Sequence, residues 1–317
     1  MKRYLALVLA AAALVAHAAD PFPNRPIRIL VGFPPGGGAD SVARILADHM
    51  ARTLKQPVLV DNRPGANSTL APAAAVAAPA DGYTLSLSPD ASFGADKVMF
   101  NTVKYDENSF TPINRIASTF FVLAANNDAG IKRLPDLLAR SKQPGKPLFM
   151  ASPGGVYPQI IAADLRKAGV QFDEVPYRGG APAALAVMAG EAQLTLMGPG
   201  AMLPLMREGK VTAVGITSDK PSTLTPGIAP LAEQGLPGYK MSFWYGLVGP
   251  AGLPDDVART LFDATAAALA DATVRDKLAM LGYEPSPARS LEEFRASARQ
   301  DGAVLRGRVQ GLPPAAR

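Results

Sequence analysis

Apolar and polar positions along this chain switch between two periods, and each switch falls at a cluster of glycine, proline, serine or asparagine. Ile27 to Val31 is a short apolar, β-prone run. Phe33-Pro34-Pro35-Gly36-Gly37-Gly38 follows as a turn, and then Val42, Ile45, Leu46 and Met50 recur at helical spacing. The order of strand, glycine-rich turn and helix then repeats. Val58 to Val60 leads to Asn62-Arg63-Pro64-Gly65-Ala66-Asn67-Ser68-Thr69 and an alanine-rich helix, and Tyr83 to Leu87 leads to the polar turn Ser88-Pro89-Asp90-Ala91-Ser92. Further on, Leu148 to Met150 opens Ala151-Ser152-Pro153-Gly154-Gly155 and a helix through Leu165. Val175 to Tyr177 opens Arg178-Gly179-Gly180, and Leu194 to Met197 opens Gly198-Pro199-Gly200, each with a helix behind it. After a strand at Val211 to Ile216 come a proline-rich loop and a strand at Phe243 to Val248. Helical patterns near Asp255 to Ala270, Thr273 to Leu281 and Leu291 to Val309 complete the chain.

Strands alternating with helices imply parallel sheets covered on both faces, which place ligands outside the carboxyl ends of their strands. Those ends are where the glycines, serines and asparagines gather. Two apolar runs, Phe120 to Ala125 and Phe243 to Val248, bracket a middle block with strand–helix units of its own and read as crossovers. The expectation is a discontinuous first domain, residues 19–122 and 243–317, and a second domain, residues 123–242. Two crossovers let the halves move as rigid bodies about a hinge.

The first residues set the compartment. Lys2 and Arg3 precede an apolar run from Leu5 to Ala16 and the small-residue pattern Ala16-His17-Ala18, which reads as a signal peptide over residues 1–18. The run is too short for a bilayer core about 30 Å thick, and Ala19 follows with no cysteine to carry a lipid. The expected product is free in the periplasm.

With no cysteine in 317 residues, disulfides, thiolate nucleophiles and sulfur-ligated metals are excluded. Losing Lys2 and Arg3 from 32 basic residues leaves 30 against 27 acidic ones, interspersed along the chain, so nucleic acid is not an expected partner. The mature chain keeps His49 as its one imidazole, in a helical pattern, which argues against a Ser-His-Asp triad or a multi-histidine metal site. No cofactor is expected.

A helix N-terminus exposes unpaired N–H groups and attracts carboxylate or phosphate, and glycine lets a ligand approach the backbone closely. Four turns qualify: residues 33–41, 62–69, 151–157 and 178–182. Any one of them is as easily an ordinary tight turn; their number is what points to a ligand. The first lacks both the GxGxxG spacing and a following Gly-Lys-Ser/Thr. Asp40 caps its helix or meets a ligand ammonium, and Arg178 pairs with a carboxylate or serves a hinge.

Several motifs, in this order, carry a family likeness: Pro26 to Val31, Phe33 to Asp40, Asn62-Arg63-Pro64-Gly65-Ala66, Ala80 to Leu85, Val175-Pro176-Tyr177-Arg178-Gly179, Gly235 to Tyr239 and Phe243-Trp244-Tyr245-Gly246. Together they resemble the Bug-type receptors of tripartite tricarboxylate transporters over essentially the whole mature chain. The resemblance implies an α/β protein of the type II periplasmic binding kind: two parallel-sheet-based lobes, two crossover strands, a ligand cleft between, and no chemistry performed. It implies a small carboxylate ligand (a di- or tricarboxylate or an aromatic acid), integral-membrane transporter subunits as partners, and a monomer. It also implies that two loops hold a carboxylate, which here fall on Phe33, Pro34, Gly36, Gly37, Gly38 and Ala39, and on Ser152, Pro153, Gly154 and Gly155. Where this chain departs from the family, Asn67 and Ser68 add donors and Ser88 and Asp90 replace a smaller turn. Met197 gives an apolar wall or ordinary packing. With Asp40, Tyr177 and Arg178 these complete the expected ligand-binding set. A sensor for a signalling partner and a periplasmic carboxylate-dependent hydrolase remain the alternatives.

Overall fold

The computed structural model describes residues 21–177 and 179–312, so the expected signal peptide and Arg178 lie outside the described residues. Two mixed sheets form. In the first, β1 (Ile27–Val31) runs parallel to β2 (Val58–Asn62) and to β3 (Thr84–Pro89). Strand β1 illustrates why its residues are almost continuously apolar. Ile27, Ile29 and Val31 pack against α1 (Gly38–Leu54) and α8 (Asp255–Ala270), while Leu30 points the other way onto Ala71 and Ala75 of α2 (Leu70–Val76). Side chains alternate across a strand, so a strand covered on both faces needs apolar residues at both parities.

The sheet continues through β10 (Ser242–Pro250) to β4 (Phe110–Phe120) and the two-residue β11 (Glu284–Pro285), in the order β11-β4-β10-β3-β1-β2. The second sheet has the order β7-β6-β8-β5-β9, built from β5 (Val122–Ala125), β6 (Phe149–Ser152), β7 (Asp173–Pro176), β8 (Leu194–Met197) and β9 (Thr212–Ile216). Strand β5, paired on both edges by β8 and β9, divides its side chains as β1 does. Leu123 and Ala125 face α4 (Leu134–Ser141) and α5 (Val156–Lys167); Val122 and Ala124 face α6 (Gly180–Met188) and α7 (Pro199–Arg207).

The parallel pairing expected of strand–helix units holds for β1 with β2 and β3 and for β6 with β7 and β8. Strands next to the crossings run antiparallel: β10 with β3 and β4, and β5 with β8 and β9. The run read as one crossover, Phe120 to Ala125, is two strands in different sheets with Phe121 between them. The other, Phe243 to Val248, lies wholly in the first sheet.

Thr217, fully buried, ties the two crossings together. Its hydroxyl donates to the Met241 carbonyl at 2.5 Å and accepts the Phe121 N–H at 2.9 Å, while its own N–H bonds the Phe121 carbonyl at 2.9 Å. Replacing the hydroxyl by a methyl strands two buried backbone groups. Thr217→Val is therefore expected to lower stability by about 2 kcal/mol in urea unfolding, without displacing either sheet. A third connection is α10 (Leu291–Val309), preceded by α9 (Ala272–Met280). Its Phe294 and Ala298 pack with Trp244 on the first sheet, whereas Leu305 and Val309 join the core of the second. Arg308, near its end, pairs with Asp164 and donates to the Lys240 carbonyl at 3.1 Å.

Candidate functional site

A cavity of about 650 Å³ opens between the two sheets. Its first-sheet wall is made by the turns after β1 and β2. These turns press together so closely that a Cβ on Gly32 would lie 2.3 Å from the Ser68 carbonyl oxygen. Ala66, Asn67 and Ser68 all have left-handed backbones, with φ of 45°, 55° and 67°. Non-glycine residues hold that conformation only where their surroundings impose it.

The turn after β1 is held from behind by Asp40. Its carboxylate accepts the Gly36 N–H at 2.9 Å, the Asn62 amide at 2.9 Å and the Arg44 Nε at 3.0 Å; the same Asn62 amide also donates to the Phe33 carbonyl at 3.0 Å. Burial pushes the Asp40 carboxyl up, but the bonds from Arg44, Gly36 and Asn62 outweigh it and hold the group below its usual range. Asp40 thus acts on the glycine turn from within the protein, with its side chain turned away from the cavity. Truncation removes three acceptor bonds while leaving a half-exposed Arg44 that water can solvate. Asp40→Ala is expected to cost about 2 kcal/mol in denaturant unfolding and to weaken ligand binding through the displaced loop.

The second-sheet wall is built from the starts of three helices. Gly155, Gly179 and Gly198 precede α5, α6 and α7, none supplies a side-chain cap, and all three line the cavity. Side chains cap α9 (Asp271) and α10 (Ser290), whereas α1, α2 and α8 also lack a side-chain cap; what sets the starts at Gly155, Gly179 and Gly198 apart is that they meet at one cavity. Uncapped ends leave N–H donors and partial positive charge facing the cavity. The glycine φ values of 92° at Gly155 and 99° at Gly179 show why the sequence needs glycine there.

Aromatic rings join the two walls. Phe33 meets Tyr245 edge-on at 6.1 Å, Tyr245 meets Phe243 at 5.4 Å, Phe243 stacks on Tyr157 at 4.7 Å, and Phe121 lies 5.5 Å from Phe243. The Tyr157 hydroxyl crosses from the second sheet to the first, donating to Asp90 and accepting the Ala91 N–H at 3.2 Å. Burial drives the Asp90 carboxyl up to about 7, with the nearby Asp301 charge adding and the Tyr157 and Ala91 bonds opposing. Asp96, also at the cavity, is raised to about 6 by burial and is bonded by Tyr105 at 2.7 Å and Ser92 at 3.2 Å.

Of the expected ligand-binding residues, the cavity gathers Phe33, Pro34, Asn67, Ser68, Pro153, Gly154, Gly155 and Met197. Gly36 and Gly38 line a smaller adjoining cavity of about 350 Å³, opposite Gly198 and Gly200. Gly37 is the position before α1 and Ala39 is buried beneath it. Ser88 is a fully buried β3 residue bonded to Ser86, Ser152 ends β6 beneath the turn, and Asp90 is engaged by Tyr157. Tyr177 is half-buried against the core of the second sheet. Missed by sequence reasoning were Tyr157, Phe243, Tyr245, Phe121 and Asp96. Phe243 and Tyr245 stood in a motif already singled out, Tyr157 closed the candidate turn 151–157, and Phe121 lay in a run read as a crossover; Asp96 had no signal.

His49, the mature chain's one imidazole, sits on α1 within 3.7 Å of Asp271 and outside the cavity. Among the described residues no group of three or more His, Cys, Asp or Glu side chains is arranged to hold a metal, and no helix is long and apolar enough to cross a membrane.

Residues 42–302 match the family model of the tripartite tricarboxylate transporter family receptor. A UPF0065 protein of Bordetella pertussis is 32% identical over 290 residues, which is 90% of this chain and 88% of that one. BugT of the same organism is 31% identical over 260 residues, 80% of each. Among solved structures, MatC of Rhodopseudomonas palustris with bound malate is 28% identical and superposes with a TM-score of 0.79 over 91% of this chain and 100% of its own. An R. palustris protein with adipate is 25% identical, with a TM-score of 0.81 over 92% and 99%. The chain belongs to the receptor family of the tripartite tricarboxylate transporters, a family of substrate-binding proteins.

Proposed function

We propose that this receptor is exported to the periplasm and captures a small organic carboxylate in the cavity between its sheets. It then hands the acid, unaltered, to integral-membrane transporter subunits. The observation that carries this reading is the convergence of three uncapped helix starts, at Gly155, Gly179 and Gly198, on one cavity. Such ends favour an anion, each by about 0.3–1 kcal/mol and up to about 2 when partly buried. A micromolar complex needs about 8 kcal/mol, so burial of the rest of the ligand supplies the remainder. The bound malate and adipate of the two R. palustris structures agree with an acid ligand here.

Capture works by closure of two bodies, residues 19–122 with 243–317 against 123–242. The change of sheet between Phe120 and Val122 supports a division at this point, one residue earlier at each crossing than those bounds, since Val122 opens β5 of the second sheet and Ser242 opens β10 of the first. The protein acts as a monomer and as a binder only. Supporting the second point, both buried carboxylates near the cavity, Asp90 and Asp96, are occupied by tyrosine hydroxyls. Ligand-stripped protein should melt several degrees higher with a matching acid in a carboxylate panel, because binding the native state alone stabilises it. No shift with any organic acid, or turnover of the acid that binds, overturns the reading.

A further inference from the structure

We propose that the acid taken by this receptor carries one carboxylate and a flat apolar body, as an aromatic or alicyclic monocarboxylic acid does. The inference rests on the carboxylate-receptor reading above and narrows its substrate class. The rings of Phe33, Tyr245, Phe243, Tyr157 and Phe121 form one unbroken series along the cavity, each 4.7 to 6.1 Å from the next. Leu196 and Met197 extend the same apolar surface. Rings prefer to receive another flat apolar group, edge-on or offset, at such spacings.

Polar groups in the cavity are few and mostly taken. The Tyr157 hydroxyl is spent on Asp90 and Ala91, and the Asp96 carboxylate on Tyr105 and Ser92. Asn67 remains as a side-chain donor beside the first-sheet turn, where the Ser68 hydroxyl donates to the Asn67 carbonyl at 2.5 Å. No lysine, arginine or histidine is among the described residues lining the cavity.

Nor are the three helix starts equivalent. The Met197 terminal methyl lies 2.7 Å from where a Cβ on Gly180 would stand, so a thioether covers the beginning of α6. A carboxylate fits the open starts of α5 and α7, and the space toward α6 takes hydrocarbon. Among the described residues there, a second carboxylate would meet sulfur and rings and no opposite charge, which is costly.

Full-length mature protein, unfolded and refolded to strip ligand, is titrated by calorimetry with benzoate, trans-cinnamate, cyclohexanecarboxylate, malate and adipate. One of the three monoacids should bind at least tenfold tighter than either dicarboxylate. Met197→Lys, which places a cation at the covered helix start, should reverse the order by tightening adipate at least tenfold and weakening the monoacid. Phe243→Ala should weaken the monoacid tenfold or more, with the melting temperature of the free variant showing that it folds. Tighter binding of malate or adipate by the unsubstituted chain overturns the inference and leaves the receptor reading standing. Failure of all organic acids to bind removes both. A Met197→Lys variant with unchanged adipate affinity overturns the argument from missing charge.

Discussion

Gly200→Val is expected to weaken carboxylate binding by a hundredfold or more while leaving the two sheets folded. Gly200 is the second residue of α7, and it meets the turn after α9 with no room to spare. A Cβ there would lie 2.1 Å from the Leu281 carbonyl oxygen, and a Cβ on Gly282 would lie 2.3 Å from the Gly200 nitrogen. Neither neighbour is a flexible side-chain tip that can swing aside. Both are backbone, and the Gly282 carbonyl is also anchored by the Thr119 hydroxyl at 2.7 Å. A valine therefore has to lift the start of α7 away from the first sheet. Gly198, which lines the ligand cavity, moves with it. Calorimetry reads the affinity loss, and small-angle scattering of the ligand-bound protein reads the larger radius of gyration of sheets held apart. Gly307→Ala on α10 is the matched control, because nothing lies within 4 Å of its added Cβ. Unchanged affinity and unchanged scattering in Gly200→Val would show that this contact plays no part in closure.

Asp90→Asn is expected to raise the melting temperature at pH 8 by several degrees and to change it little near pH 4. Burial, the largest cause, lifts this carboxyl from an ordinary 3.8 to about 7 in the folded protein. The native state then holds the proton more tightly than the unfolded chain does. The contribution of Asp90 to stability is full below about pH 4 and is lost as pH rises toward 7, since the unfolded state ionises freely while the native one resists. A shift of this size corresponds to a loss on the order of 4 kcal/mol across the window, or several degrees in a protein of this length. Asparagine is neutral at every pH and still accepts the Tyr157 hydroxyl, so the penalty disappears and the bond between the sheets persists. Asp96, raised to about 6 chiefly by burial, pushes in the same direction in both proteins. The check is a set of thermal melts from pH 4 to 8. Parallel curves for the two proteins would mean that Asp90 is already ionised at low pH.

Much of the architecture was legible because its signals are local. Glycine at 155, 179 and 198 marks the change from strand to helix, and the nearly unbroken apolar run Ile27 to Val31 marks a strand covered on both faces. Residues 110–119 failed as a sequence signal for a physical reason. Asn114 and Arg115 interrupt the apolar pattern, yet Asn114 is fully buried, donating to Thr265 at 3.0 Å and accepting the Ala288 N–H at 3.1 Å. Those partners lie 151 and 174 positions away, so the residue reads as polar and exposed until the chain is folded. Asp40 was left open by the sequence, between capping its helix and meeting a ligand. It sits inside the motif that carries the likeness, but its carboxylate serves the loop behind the cavity. Tyr157, Phe243 and Tyr245 each look like core residues of their own element, and nothing in their spacing foretells a shared surface.

What the sequence by itself determined is what short-range chemistry can specify: most of the strands and helices (though not β4), the glycine turns at which helices start, and the family they identify. Only the tertiary structure decided that the aromatic rings converge, that Met197 covers one of three helix starts, and that Asp90 is held by a residue of the opposite sheet. Turn and capping preferences act over a few residues. A cavity wall is assembled from residues as far apart as Phe33 and Tyr245, whose proximity depends on the packing of everything between them.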